Sequence, residues 1–286
     1  MKKQLPESVV GPGHRDHNLL TVLAEEIFRR AGGREALAEK FPLMLRDCID
    51  AVIQTPKTGR RAYDELEKTE KTYIGTRVEI DLRTLLRLSK GKLDTVIAGQ
   101  DVDIKHTMGD NWMIPTEAFD QPCILVAADE TREKCYLGLF VARLENLTAG
   151  QNKDSKKSIS AAGFPNILWL LRDHPYPPNF WRTVPHEAID RIFAGSNGNA
   201  RVMALFREVQ GRPITRDVIE AVAQQKDFMR RLRADGGGGT RDQLKKEGIS
   251  LLNGHFDSPL IAELGLPACG ASEFISVRTS SALGSA

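Results

Sequence analysis

A chain of 286 residues that is 41% hydrophobic and 27% charged can bury one large core or two ordinary ones, and none of its apolar runs approaches membrane-spanning length. A formal net charge of +2 names no partner, so contact with nucleic acid would need lysines and arginines gathered locally. Cys48, Cys123, Cys135 and Cys269 lack CxxC or histidine spacing, which argues against zinc, and Met1-Lys-Lys-Gln-Leu-Pro-Glu7 lacks the apolar stretch of a secretory signal, so a cytoplasmic protein with reduced thiols and no membrane attachment is expected.

Residues 1–16 show no period. From Asn18, apolar residues Leu19, Leu20, Val22, Leu23, Ile27 and Phe28 fall at helical spacing, and Gly32-Gly33 is the stop. Two further helices are predicted, Arg34 to Lys40 and Pro42 to Gln54, parted at the proline. Thr55-Pro-Lys-Thr-Gly59 reads as a turn. Arg60-Arg61 then opens a mixed-charge stretch through Lys71, which by its residues alone is an exposed helix laced by pairs such as Glu67 with Lys71. A helix from Thr72 to Leu88 carries Glu79, and Ser89-Lys-Gly-Lys92 breaks it.

Strands follow at Thr95–Ala98, Gln100–Thr107, Cys123–Ala128 and Tyr136–Val141. Along the second, charged and apolar residues alternate, which puts Asp101, Asp103 and Lys105 on one face and Val102 and Ile104 on the other. A bend at Gly99 would return Asp94 beside Asp103. Clustered carboxylates with an amine suit Mg²⁺ and phosphodiester hydrolysis, because Mg²⁺ takes hard oxygen ligands and a lysine can steady charge on phosphorus. The same spacing also describes an ordinary solvated strand face. The unbroken apolar run Cys123–Ala128 is expected of a strand covered by helices on both faces.

Asn152-Lys-Asp-Ser-Lys156-Lys157 is a lysine-rich loop, and Asp173-His-Pro-Tyr-Pro-Pro-Asn179 is the best linker. Helices are expected over 185–194 and 199–210, and another over 216–224 capped by Thr215. A basic helix follows from Lys226 to Arg233, then Gly236–Gly239 as a wing and strands near 248–254 and 273–277. Arginines in a last turn also favour the helix dipole with no DNA present.

The run Thr58-Gly-Arg-Arg-Ala-Tyr through Glu79, with Ile97-Ala-Gly-Gln-Asp-Val-Asp103-Ile-Lys105 and Trp112-Met-Ile-Pro-Thr-Glu117, closely resembles the NaeI-type (type IIE) restriction endonucleases, a branch of the PD-(D/E)xK nucleases near the nicking enzyme MutH. The likeness resumes at Ala200–Arg212 and Val222–Arg233. It implies an α/β fold: a mixed-sheet endonuclease domain over 1–172, a linker over 173–180, and a winged helix-turn-helix DNA-binding domain over 181–286. It also implies that Glu79, Asp94, Asp103 and Lys105 form the active site. Asp94, Asp103 and Glu79 would form the Mg²⁺ site, the two aspartates binding the metal and Glu79 holding a metal-bound water or the groups around it, and Lys105 would face the scissile phosphate. Asp101 matches no acid of the family motif and is taken as a solvated or supporting group, and Trp112, in the loop Met108–Glu117, either caps the core or, as the resemblance implies, contacts DNA. Double-stranded DNA would be gripped by Arg60, Lys68, Lys71, Lys153, Lys156 and Lys157 in the first domain, and by Lys226, Arg230, Arg231 and Arg233 in the second. Such enzymes act as homodimers activated by a second DNA copy. The resulting expectation is a Mg²⁺-dependent, sequence-specific type II deoxyribonuclease; a MutH-like nicking enzyme and a non-catalytic winged-helix DNA-binding protein remain alternatives.

Overall fold

Leu20, Leu23, Ala24, Ile27 and Phe28 form the buried stripe of α1 (His17–Ala31), which ends where Gly32 turns left-handed at φ 96°. The computed structural model describes residues 5–225, 232 and 239–278. They belong to two units, one of Met1–Ile53 with Ala62–Asn179 and one of Gln54–Arg61 with Phe180–Ala286.

The two helices expected around Pro42 are a single one, α2 (Arg34–Ile53), with the proline inside it. Proline cannot donate to the carbonyl four residues back, which here belongs to Ala38. His174 supplies the missing donor, its Nε2 lying 2.9 Å from that carbonyl oxygen. A distant imidazole therefore lets the helix run on. Gln54 and Gly59, both at positive φ, bracket the short α3 (Thr55–Thr58). The next long helix, α4 (Lys68–Leu86), starts four residues before the expected Thr72; Glu70 reaches back to the Glu67 amide at 2.9 Å and fixes the start. Ile74, Val78, Leu82 and Leu86 form its buried stripe.

The sheet of the first unit has five strands in the order β1-β2-β4-β5-β7. These are β1 (Thr95–Ile97), β2 (Gln100–Thr107), β4 (Pro122–Asp129), β5 (Lys134–Val141) and β7 (Leu168–Pro175), while β3 (Met113–Ile114) pairs separately with β6 (Lys157–Ser158). Only the β2–β4 neighbours are parallel, with Asp103 opposite Cys123 and Lys105 opposite Leu125. The helices were expected on both faces of β4, but they cover one. Ile124, Val126 and Ala128 pack in the core shared with α1, α2 and α4; Cys123, Leu125 and Ala127 pack in a second core with Trp112, Ile114, Ile159 and Ile167. Loops and the β3–β6 ribbon close that second face. Strand β7 was not foreseen, and its last residues, Asp173 to Pro175, were read as linker. It is an edge strand, where a terminal proline costs no ladder bond.

The second unit is built from α5 (His186–Phe193), α6 (Gly198–Glu208), α7 (Arg216–Ala223), α8 (Thr240–Lys246) and α9 (Ser258–Glu263), with β8 (Ile249–Asn253) antiparallel to β9 (Phe274–Arg278). Thr215 caps α7 as expected, its hydroxyl accepting from the Val218 amide. Ile189, Val202, Leu205, Phe206, Ile219 and Val222 form one core. The middle segment contributes too: the Pro56 carbonyl accepts from Gln224 at 3.0 Å. Apart from Leu232, the expected helix from Lys226 to Arg233 lies outside the described residues, as does most of the glycine wing.

Candidate active site

Ala98 and Gly99, at φ 48° and 78°, make the two-residue turn joining β1 to β2, in which Ile97 stands opposite Gln100. Both central residues at positive φ is the turn whose twist matches an antiparallel pair. The hairpin returns Asp94 to β2, where its amide reaches the Val102 carbonyl at 3.3 Å and its Oδ2 accepts from the Ile104 amide at 2.7 Å. Asp94 thus reads the strand two ways, through its backbone and through its carboxylate.

On β2, Val102 and Ile104 enter the core shared with α4, and Asp103 and Lys105 alternate to the other side. The Lys105 ammonium lies 2.8 Å from Asp103 Oδ1 and 3.6 Å from Asp94 Oδ2. Two carboxylates therefore converge on one amine. Asp103 is 3% exposed, and burial raises its carboxyl to about 7 against the pull of Lys105, with Asp94 adding to the rise. Burial works against the Lys105 charge, yet Asp103, Asp94 and Glu79 together outweigh it and raise the amine. Glu79 on α4 is raised by burial and then by Asp94, with Lys105 and Arg83 opposing. All four expected residues lie in one electrostatic neighbourhood.

Among the described residues, no group of three or more His, Cys, Asp or Glu side chains stands ready to hold a metal. Glu79 shares the field of the two aspartates without completing a three-carboxylate cage. The pair nonetheless suits Mg²⁺, which takes one or two protein carboxylates and fills its remaining positions with water and phosphate. Asp103 Oδ2 is buried and has no hydrogen-bond partner, the kind of hard oxygen such a cation would satisfy. The three carboxyl groups face two cationic side chains, Lys105 and Arg83.

Two residues hold Asp94 that the sequence reading gave no such task. Arg83, one helical turn beyond Glu79 on α4, donates from Nη1 to the Asp94 carbonyl at 2.8 Å. Asp101, read as solvated or supporting, takes the Leu93 amide with both oxygens at 3.2 Å. The spacing of Glu79 and Arg83 by four residues was the available signal, since such pairs share a helix face.

The expected DNA contacts differ in what they already hold. Lys68 is exposed at the start of α4; Lys71 donates to the Asp64 carbonyl at 3.2 Å and sits over the Tyr63 ring. Both line a cavity of about 430 Å³ with Thr72, His106 and Met108. Lys153 is exposed in a loop pinned by Asn152, whose Oδ1 accepts from the Asp154 and Lys156 amides, each at 2.9 Å. The Lys157 ammonium is taken by the Thr148 and Ala149 carbonyls at 2.9 and 2.8 Å. Arg60 belongs to the segment that joins the second unit. Lys226, Arg230, Arg231 and Arg233 lie outside the described residues. Trp112, weighed for DNA contact, is fully buried; its Nε1 donates to the Val126 carbonyl at 2.8 Å and its ring meets Phe164 and Trp169. It caps the core.

The family described as restriction endonuclease NaeI matches residues 27–285. The chain is 36% identical over 245 residues to the Type II restriction enzyme NaeI of Lentzea aerocolonigenes, a match covering 82% of this chain and 76% of that protein.

Proposed function

The chain belongs to the NaeI family of restriction endonucleases, and from that premise we propose that it is a type II site-specific deoxyribonuclease hydrolysing phosphodiester bonds in double-stranded DNA. The observation that carries the reading is the convergence of Asp94 and Asp103 on Lys105, with Glu79 in the same field. Mg²⁺ would be held by Asp94 and Asp103; when bound it supplies Lewis acidity to a phosphoryl oxygen and lowers the pKa of a water. Lys105, steered by both aspartates, places an ammonium where negative charge builds on phosphorus. Glu79, raised by burial, is suited to hold or accept a proton from a water at the edge of the site.

Lys68, Lys71, Lys153, Lys156 and Arg60 are proposed to meet the DNA backbone. The helices α5, α6 and α7 followed by the β8–β9 pair support reading the second unit as a winged helix-turn-helix, with Lys226, Arg230, Arg231 and Arg233 toward DNA. Action as a homodimer in the cytoplasm, with a second DNA copy as activator, belongs to the same proposal. Asp103→Ala should abolish Mg²⁺-dependent cleavage of a plasmid while DNA binding persists. A variant that cuts at the wild-type rate sinks the assignment, and supercoiled plasmid stopping at open circle would turn it toward nicking.

A further inference from the structure

Asp94 sits just before β1, at the end of a broken stretch that begins when α4 ends at Leu86. A carboxylate there has every opportunity to wander, and holding a reacting group within about half an ångström demands support from neighbours. Four bonds converge on this point. The Asp94 amide goes to Val102 at 3.3 Å and its Oδ2 takes the Ile104 amide at 2.7 Å. Its carbonyl takes Arg83 at 2.8 Å, and the amide just before it, on Leu93, goes to Asp101. Two of these come from side chains that do not themselves touch Lys105 or Asp103.

Those two side chains tie Asp94 to different elements. Arg83 projects from α4, the helix that carries Glu79, so a shift of α4 would move Asp94 with it. Asp101 projects from β2, two residues before Asp103. Its approach is close enough to dictate a neighbour: a Cβ on Gly91 would collide with Asp101 Oδ1 and lie 2.7 Å from the Thr95 carbonyl oxygen. Thr95, fully buried, adds a hydroxyl bond to the Ser89 carbonyl at 2.9 Å and secures the base of the same turn.

We propose that Arg83 and Asp101 are positioning residues that set Asp94 against β2, Arg83 coupling it to the Glu79 helix and Asp101 to the Asp103 strand. The claim rests on Asp94 being part of the cleavage site. Each acts through a backbone group, Arg83 through the Asp94 carbonyl and Asp101 through the Leu93 amide just before it. Groups that orient metal-holding carboxylates in this way typically contribute 10- to 100-fold in affinity or rate (about the range expected here).

The test uses the whole 286-residue chain. In Arg83→Met and Asp101→Ala, kcat for plasmid cleavage should fall by roughly 10- to 100-fold with KM for DNA unchanged, and Arg83→Lys should recover part of the loss. Amide hydrogen exchange without DNA or metal gives the second measurement. The Ile104 amide, whose acceptor is Asp94, should exchange roughly tenfold faster in both variants, while amides of β4 and β5 keep their protection. Wild-type exchange at Ile104, or exchange that quickens evenly across the sheet, overturns the proposal. So does an undiminished kcat in both variants of a protein that Asp103→Ala inactivates. If Asp103→Ala still cuts, the cleavage-site reading fails on its own, and the exchange result still reports whether Arg83 and Asp101 hold Asp94.

Discussion

His106 follows Lys105 on β2, and its Nε2 is buried with no hydrogen-bond partner. Burial lowers its pKa to about 4 from the ordinary 6.5. The unfolded chain therefore binds a proton between these values that the folded chain refuses, so stability is full above pH 6.5 and falls as pH drops toward 4. The whole shift corresponds to about 3 kcal/mol, and a partly exposed ring realises less, about 1–2 kcal/mol. Urea unfolding followed at pH 7 and pH 5 should show this loss in the wild type and a smaller one in His106→Phe. Equal losses in the two proteins would place the pH sensitivity elsewhere. At this scale the convergence of Asp94 and Asp103 on Lys105 was legible, because strand alternation and the Gly99 turn are local patterns. Arg83 and Asp101 were not, since each acts on a backbone group, and a backbone carbonyl or amide has no letter in the sequence.

Elements show the complementary limit. Pro42 was read as a break because an isolated helix loses a bond at proline, and that rule holds until another group takes the freed carbonyl. His174 takes it from β7, more than a hundred positions along the chain. The same histidine lies in the segment mistaken for linker, so the two misreadings share one cause: β7 and α2 make sense only together. His174→Ala should cost about 1–3 kcal/mol by stranding the Ala38 carbonyl. Pro42→Ala restores an amide to that carbonyl, so His174→Ala should cost clearly less in its presence. A double-mutant cycle by urea denaturation measures the coupling, and strict additivity would show that the imidazole does not serve the helix. By contrast α1, β2 and β4 were legible because their apolar periods are self-contained.

For the whole molecule the question is which lysines face DNA and which hold the protein together. Lys68 stands exposed at the start of α4, whereas Lys157 is occupied by two carbonyls of its own loop. Each phosphate contact removed should reduce the slope of log affinity against log salt by about 0.9. Lys68→Ala combined with Lys71→Ala should therefore flatten the dependence measured by fluorescence anisotropy on a duplex. Lys157→Ala should leave that slope alone and lower the unfolding midpoint. The opposite ranking would reassign the DNA-facing surface of the first unit. The basic stretch from Lys226 to Arg233 enters none of these comparisons, being outside the described residues.

The sequence reading placed the two domains one after the other along the chain, whereas the observed units interleave, Gln54–Arg61 belonging with Phe180–Ala286. The pattern of charges around Arg60 gave no hint, because membership of a core is decided by partners that arrive much later in the chain. A laboratory wishing to graft the second unit of one relative onto the first unit of another therefore faces three junctions, at Ile53/Gln54, Arg61/Ala62 and Asn179/Phe180, where a beads-on-a-string protein would need one. Chimeras spliced only at the last junction would carry a short stretch of the wrong parent inside the transplanted half.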